Sequence, residues 1–133
     1  MRADTKTVSI EAVPARVLAF LADPGNLPRW AVGFAKAVRA TDRGWVVETG
    51  SGDLPLRIEV DERTGVVDFV MTPAPGVEAR AVSRVAPRGT GTEYVFTQFQ
   101  ARGMPDDAFA RSVQTLAHEL TVLKALMEVE CPL

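Results

Sequence analysis

The chain of 133 residues has one cysteine, one histidine and one tyrosine. Cys131, near the C-terminus, excludes an internal disulfide framework and reads as an incidental thiol rather than a nucleophile. One His and one Cys are too few soft ligands for a structural zinc site, and no metal or other cofactor is expected. No apolar run approaches the roughly 18 residues that a spanning helix needs, so no stable membrane insertion is expected. A clustered basic face is missing too. The net charge is −2, with Lys and Arg spread along the chain, which argues against a nucleic-acid partner. Met1 to Thr7 is charged and lacks the apolar core of a signal peptide, so a cytoplasmic location is expected. No Ser-His-Asp order or carboxylate pair stands out. Gly50-Ser51-Gly52 and Gly89-Thr90-Gly91 open no helix, so they read as hairpin turns rather than phosphate-cradling loops.

What the chain does have is one long amphipathic segment, Pro105 to Val129. Phe109, Val113, Leu116, Leu120, Leu123 and Met127 step by three and four residues and share a stripe at ~100° per residue. Asp106 and Asp107 stand where carboxylates suit the positive end of a helix dipole, and Pro105 fits an early position where its missing N–H costs nothing. The opposite face, with Arg111, Gln114, His118, Val122 and Val129, is less polar than a free surface needs. It reads as scattered surface apolar residues or as a contact with a second copy of the chain, a homodimer. His118, on that face, is a solvated histidine rather than a general base.

Most of the rest is strand and turn. Thr5 to Glu11 alternates, with Val8 and Ile10 on one side. Pro14 opens a short helix that Asp23-Pro24-Gly25 stops, and Asn26 to Trp30 forms a second brief turn or helix. Six strands follow: Phe34 to Thr41, Trp45 to Thr49, Leu54 to Arg63, Val66 to Thr72, Val77 to Val85 and Thr92 to Gln100. The clearest alternation is Leu56, Ile58 and Val60 against Arg57, Glu59 and Asp61. Pro73-Ala74-Pro75-Gly76 is expected to break the ladder, and Pro87 to Gly91 to form a loop. In the last strand both parities are open; Tyr94, Phe96 and Gln98 are favoured for the inner face because Glu93 then meets water. The size prior makes residues 1–133 a single domain. Its class is α+β: a curved antiparallel sheet of about seven strands wrapped over a long C-terminal helix, with two short helices after the first strand.

This order of elements resembles the START-like polyketide cyclase/dehydrase and lipid-transport superfamily (SRPBCC), which shares the helix-grip fold. The stretches that carry the resemblance are Thr7-Val8-Ser9-Ile10-Glu11-Ala12-Val13-Pro14, Val17-Leu18-Ala19-Phe20-Leu21-Ala22-Asp23-Pro24 and Asn26-Leu27-Pro28-Arg29-Trp30. It extends over nearly the whole chain. It implies a cavity between sheet and helix that takes a small hydrophobic molecule, of modest size because the chain is short for the group.

Trp30, Phe34, Trp45, Phe69, Met71, Phe96 and Met104 are the large apolar groups expected to line such a cavity, with Val113, Leu116 and Leu120 from the helix. The small residues Ala79, Ala81 and Ser83 would leave room for it, and Trp30 would close its entrance. Ser83 and Gln98, polar on apolar faces, either orient a ligand's carbonyl or hydroxyl or bond to neighbouring backbone. Three functions follow: binding of a small hydrophobic or aromatic ligand, a polyketide cyclase/dehydrase-type reaction in the same cavity, or a protein-interaction module with a vestigial pocket. The enzyme would need Gln98, Tyr94 or Glu119 to face the cavity, whereas the interaction module would use Val122, Leu126 and Val129.

Overall fold

The computed structural model describes every residue, Met1–Leu133. The elements are β1 (Ala3–Ile10), α1 (Pro14–Ala22), a 3-10 turn (Pro24–Asn26), α2 (Leu27–Trp30), β2 (Ala37–Thr41), β3 (Gly44–Thr49), β4 (Gly52–Asp61), β5 (Val66–Ala74), β6 (Val77–Arg88), β7 (Gly91–Phe99) and α3 (Asp106–Glu130). The seven strands form one sheet in the order β1-β7-β6-β5-β4-β3-β2, with every neighbouring pair antiparallel. Strands β2 to β7 are a meander joined by tight turns. The first strand then pairs with the last, Val8 opposite Tyr94 and Ile10 opposite Thr92. The helix-grip architecture expected from the alternation and from the resemblance is the one observed.

Two prolines behave differently from expectation. Pro73 does not end its strand: β5 runs on to Ala74, and the register shifts between Met71 and Ala74. A bulge there absorbs the residue that cannot donate to the ladder. Pro87 likewise lies within β6, beyond the last pairing with β5 at Arg84, and the hairpin narrows to a turn at Gly89 and Thr90. Conversely, Phe34 is not in a strand. The peptide N–H groups of Phe34 and Ala35 both donate to the Ala31 carbonyl, which keeps the chain coiled until β2 begins.

Helix α3 runs alongside β1 and is tied to it by polar contacts. Lys124 Nζ donates to the Ser9 carbonyl at 2.7 Å, and Glu128 Oε2 accepts from the Glu11 N–H at 2.8 Å. Arg29 of α2 pairs with Glu130. The C-terminal half of α3 buries Leu120, Leu123 and Met127, each 3% exposed or less. They join Val17 and Leu21 of α1, and Ile10, Val67, Val85 and Tyr94 of the sheet, in one apolar cluster. On the sheet's outer face Arg57, Glu59, Glu78, Arg80 and Asp68 form a ladder of ion pairs. These are largely exposed, so each contributes little to stability; Val70, which is 1% exposed, stands between Arg57 and Arg80 in the register of that face.

Candidate functional site

The packing between sheet and helix is filled at one end and open at the other. Under the N-terminal half of α3 lies a cavity of about 480 Å³. Its floor comes from alternate residues of four strands: Leu54 and Leu56 of β4, Phe69 and Met71 of β5, Ala79 and Ala81 of β6, and Phe96 and Gln98 of β7. Ser112, Thr115, Leu116 and Glu119 of α3 form the roof. Leu27, Trp30, Ala31, Gly33 and Phe34 close one end, and Ala101 and Met104 border the other, open one. Register explains the open space. Ala81 stands opposite Phe69, and Ala79 opposite Met71, so β6 presents methyl groups where its neighbour presents large side chains. The aromatic rings step along the floor, Trp30 to Phe69 at 6.2 Å and Phe69 to Phe96 at 5.9 Å between centroids. Pro73, Phe99 and Ala101 line the cavity and are also exposed, which puts the mouth there rather than at Trp30, which is 3% exposed.

Of the residues singled out from the sequence, Trp30, Phe34, Phe69, Met71, Phe96, Gln98, Met104 and Leu116 lie in the cavity wall. Trp45, Ser83, Val113 and Leu120 do not. Trp45 sits next to the β2–β3 turn, half-exposed, on a strand beyond β4, where the floor ends. Val113 is half-exposed, and Ser112 and Leu116 take the cavity side of the helix instead. Leu120 belongs to the filled end. Ser83 is occupied: its hydroxyl donates to the Val67 carbonyl at 2.6 Å and accepts from the Tyr94 hydroxyl at 2.9 Å. Tyr94 is fully buried in that chain, and burial pushes its phenol well above its usual range, so it offers a ligand neither a free proton nor a phenolate. Gln98 keeps a looser arrangement, its Nε2 donating to the Ser112 carbonyl at 3.4 Å, a long bond that a ligand can compete with.

The residue that spacing should have promoted is Glu119. It lies three positions after Leu116 and four before Leu123, on the flank of the apolar stripe. In the structure it is 5% exposed and lines the cavity. Its Oε2 accepts from the peptide N–H groups of Gly33, at 3.1 Å, and Phe34, at 3.0 Å. Burial pushes the carboxyl above its ordinary range, and the two N–H donors pull it part of the way back. The loop reaches α3 because residue 33 has no side chain: a Cβ there would collide with Thr115 Cγ2. Gly33 is therefore required for space rather than for an unusual backbone angle.

Two outcomes follow. Gly33→Ala should cost about 1–3 kcal/mol in urea unfolding, as overpacking does, and Thr115→Ser, which removes the obstructing methyl, should restore most of it. An equal cost in both backgrounds would show that the loop does not seat against Thr115. The second outcome concerns pH. The folded protein holds the Glu119 proton more tightly than the unfolded chain does. Glu119 thus weighs against folding increasingly as pH rises from the unfolded pKa through the raised folded one. The stability of Glu119→Gln relative to the natural protein should therefore rise between about pH 4, near the unfolded carboxyl value, and about pH 7. A flat difference in thermal melts across that range would contradict this.

The same architecture occurs in solved structures. A START superfamily protein from Mycobacterium smegmatis superposes with a TM-score of 0.71 at 13% identity, over 95% of this chain and 97% of that one. The di-domain ARO/CYC protein BexL matches with a TM-score of 0.71 at 19% identity, over 94% of this chain and 46% of that one. The Aha1 dimer from Colwellia psychrerythraea matches with a TM-score of 0.65 at 16% identity, over 97% of this chain and 98% of that one. At these identities the likeness speaks for the fold alone. No curated protein sequence matches the chain. The sequence pattern of the polyketide cyclase / dehydrase and lipid transport family, however, matches residues 1–128. With a match over nearly its whole length, the chain belongs to the polyketide cyclase / dehydrase and lipid transport family.

Proposed function

We propose that this protein binds a small, largely apolar aromatic molecule between the sheet and the N-terminal half of α3. The observation that carries the proposal is the cavity itself: about 480 Å³, with fifteen of its twenty-two lining residues hydrophobic. That volume and composition are those of small-molecule sites. The aromatic floor favours flat ligands, which can stack edge-on or offset against Phe69 and Phe96. Met71 and Met104 add side chains that adapt to ligand shape. Affinity comes from apolar burial, and the part-buried Gln98 and the buried Glu119 are the polar groups placed to orient the ligand.

A cyclase or dehydratase reaction in the same cavity is the second reading. Glu119 favours it, since a buried carboxyl with a raised pKa in a cleft suits proton transfer. The family description, which pairs cyclase/dehydrase with lipid transport, supports both readings. An interaction module with a vestigial pocket draws no support from the structure. The pocket is open, and on the outer face of α3 Val122 and Leu126 pack against the core, leaving Val129 alone as a strongly exposed apolar residue. No helix is long and apolar enough to cross a membrane.

The test is titration with N-phenyl-1-naphthylamine, an uncharged dye that brightens in apolar sites. The natural protein should enhance its fluorescence saturably. Ala79→Leu, which fills the space opposite Met71, should abolish the enhancement while leaving the circular dichroism and melting temperature close to unchanged. No saturable enhancement, or equal enhancement in the variant, would contradict binding in this cavity.

A further inference from the structure

We infer that Glu119 makes the cavity selective for an uncharged ligand carrying a hydroxyl group, a phenol or alcohol, and turns away carboxylates of the same shape. The inference rests on the ligand-binding reading above and gives that site its substrate class.

The polar inventory of the wall is short. Glu119 and Arg80 are its only ionisable residues. Arg80 is committed elsewhere: its guanidinium faces the outer side of the sheet, with Nη1 on Glu59 at 2.9 Å and on Asp68 at 2.8 Å. The cavity therefore holds a carboxyl and no free cation. The peptide N–H groups of Gly33 and Phe34, which would otherwise suit an anion, are already taken by Glu119 Oε2. The Ser112 hydroxyl is likewise spent on its own helix, donating to the carbonyls of Ala108 and Phe109. A ligand carboxylate entering here would lie against the Glu119 carboxyl in a poorly solvated space, with only the Gln98 amide, already bonded to the Ser112 carbonyl, and the exposed Thr115 hydroxyl as side-chain donors.

What remains available is an acceptor. Glu119 Oε2 is pinned by its two N–H partners, which fixes the carboxyl plane, and Oε1 has no protein partner. One carboxyl oxygen without a protein partner, on a residue of the cavity wall, matches one O–H on a ligand. An ammonium group has three N–H bonds to satisfy, of which Glu119 Oε1 can take one. The hydroxyl would sit at the Gly33–Phe34 end of the cavity, and the ring system would extend over Phe69 and Phe96 toward Gln98.

The experiment is displacement of N-phenyl-1-naphthylamine at pH 8 by three matched probes: 2-naphthol, naphthalene and 2-naphthoate. The natural protein should bind 2-naphthol about tenfold more tightly than naphthalene, as one hydrogen bond in an apolar site provides, and 2-naphthoate more weakly than either. In Glu119→Gln the amide oxygen can still accept from Gly33 and Phe34, which turns the amide NH₂ toward the cavity. The order should then invert, with 2-naphthoate gaining at least about tenfold and 2-naphthol losing its advantage. If 2-naphthol and 2-naphthoate displace the dye equally from the natural protein, the selectivity is overturned and the cavity reading stands. This arm needs no variant to fold. If the variant keeps the natural order, Glu119 is not the selecting group. If the dye itself fails to bind, the cavity reading falls and this inference with it.

Discussion

The structure depends on one helix held against one curved sheet most extensively along its C-terminal half, with Phe109, 3% exposed, seating its first turn as well. Leu120, Leu123 and Met127 are almost completely enclosed, and each such side chain contributes about 1.5–3 kcal/mol when buried. Lys124 and Glu128 add polar ties to the edge strand in the same turns. With that end anchored, the N-terminal half of α3 can stand off a floor that it does not fill. The open end is set by small residues as much as by large ones. Ala79 and Ala81 hold the volume open, and Phe69 and Phe96 give it an aromatic surface.

Glu119 sits at the junction of the two halves. Placing a carboxyl on the apolar stripe disfavours folding, and the two peptide N–H donors from Gly33 and Phe34 offset only part of that penalty. A sequence that breaks its own patterning at one position usually does so where it functions. The absence of a side chain at Gly33 belongs to the same arrangement, since it lets the loop reach the helix closely enough for its N–H groups to bond. Trp30, on the short helix just before this loop, packs against Phe69, so the end wall and the floor form one continuous aromatic surface.

Much of this was legible from residue order. Alternation in Leu56, Ile58 and Val60 and the three-and-four spacing of the last helix were enough for the sheet, the helix and the C-terminal half of its buried stripe, but not for the cavity side of its first half, which Ser112 and Glu119 take instead of Val113. Prolines were misleading, because Pro73 and Pro87 can be absorbed by a bulge and by a strand end that only the assembled sheet defines. Alternation also reports which way a side chain faces, not what lies across from it. Ser83 and Leu120 face inward as expected, yet the space opposite them is filled, whereas that opposite Ala79 and Leu116 is open. Glu119 flanks the stripe, and spacing alone does not show that the loop at Gly33 and Phe34 encloses it. Gly33 carried no local signal, since its role exists only once the loop and Thr115 meet.

The most direct measurement is xenon titration of methyl-labelled protein followed by NMR, because xenon enters apolar cavities and reports where they are. The methyl resonances of Ala81, Leu116, Met71 and Met104 should shift progressively with xenon pressure, and those of Val17, Leu123 and Met127 should stay in place. Equal shifts at both ends of α3, or none at the N-terminal end, would contradict a helix that is packed along one half and open along the other.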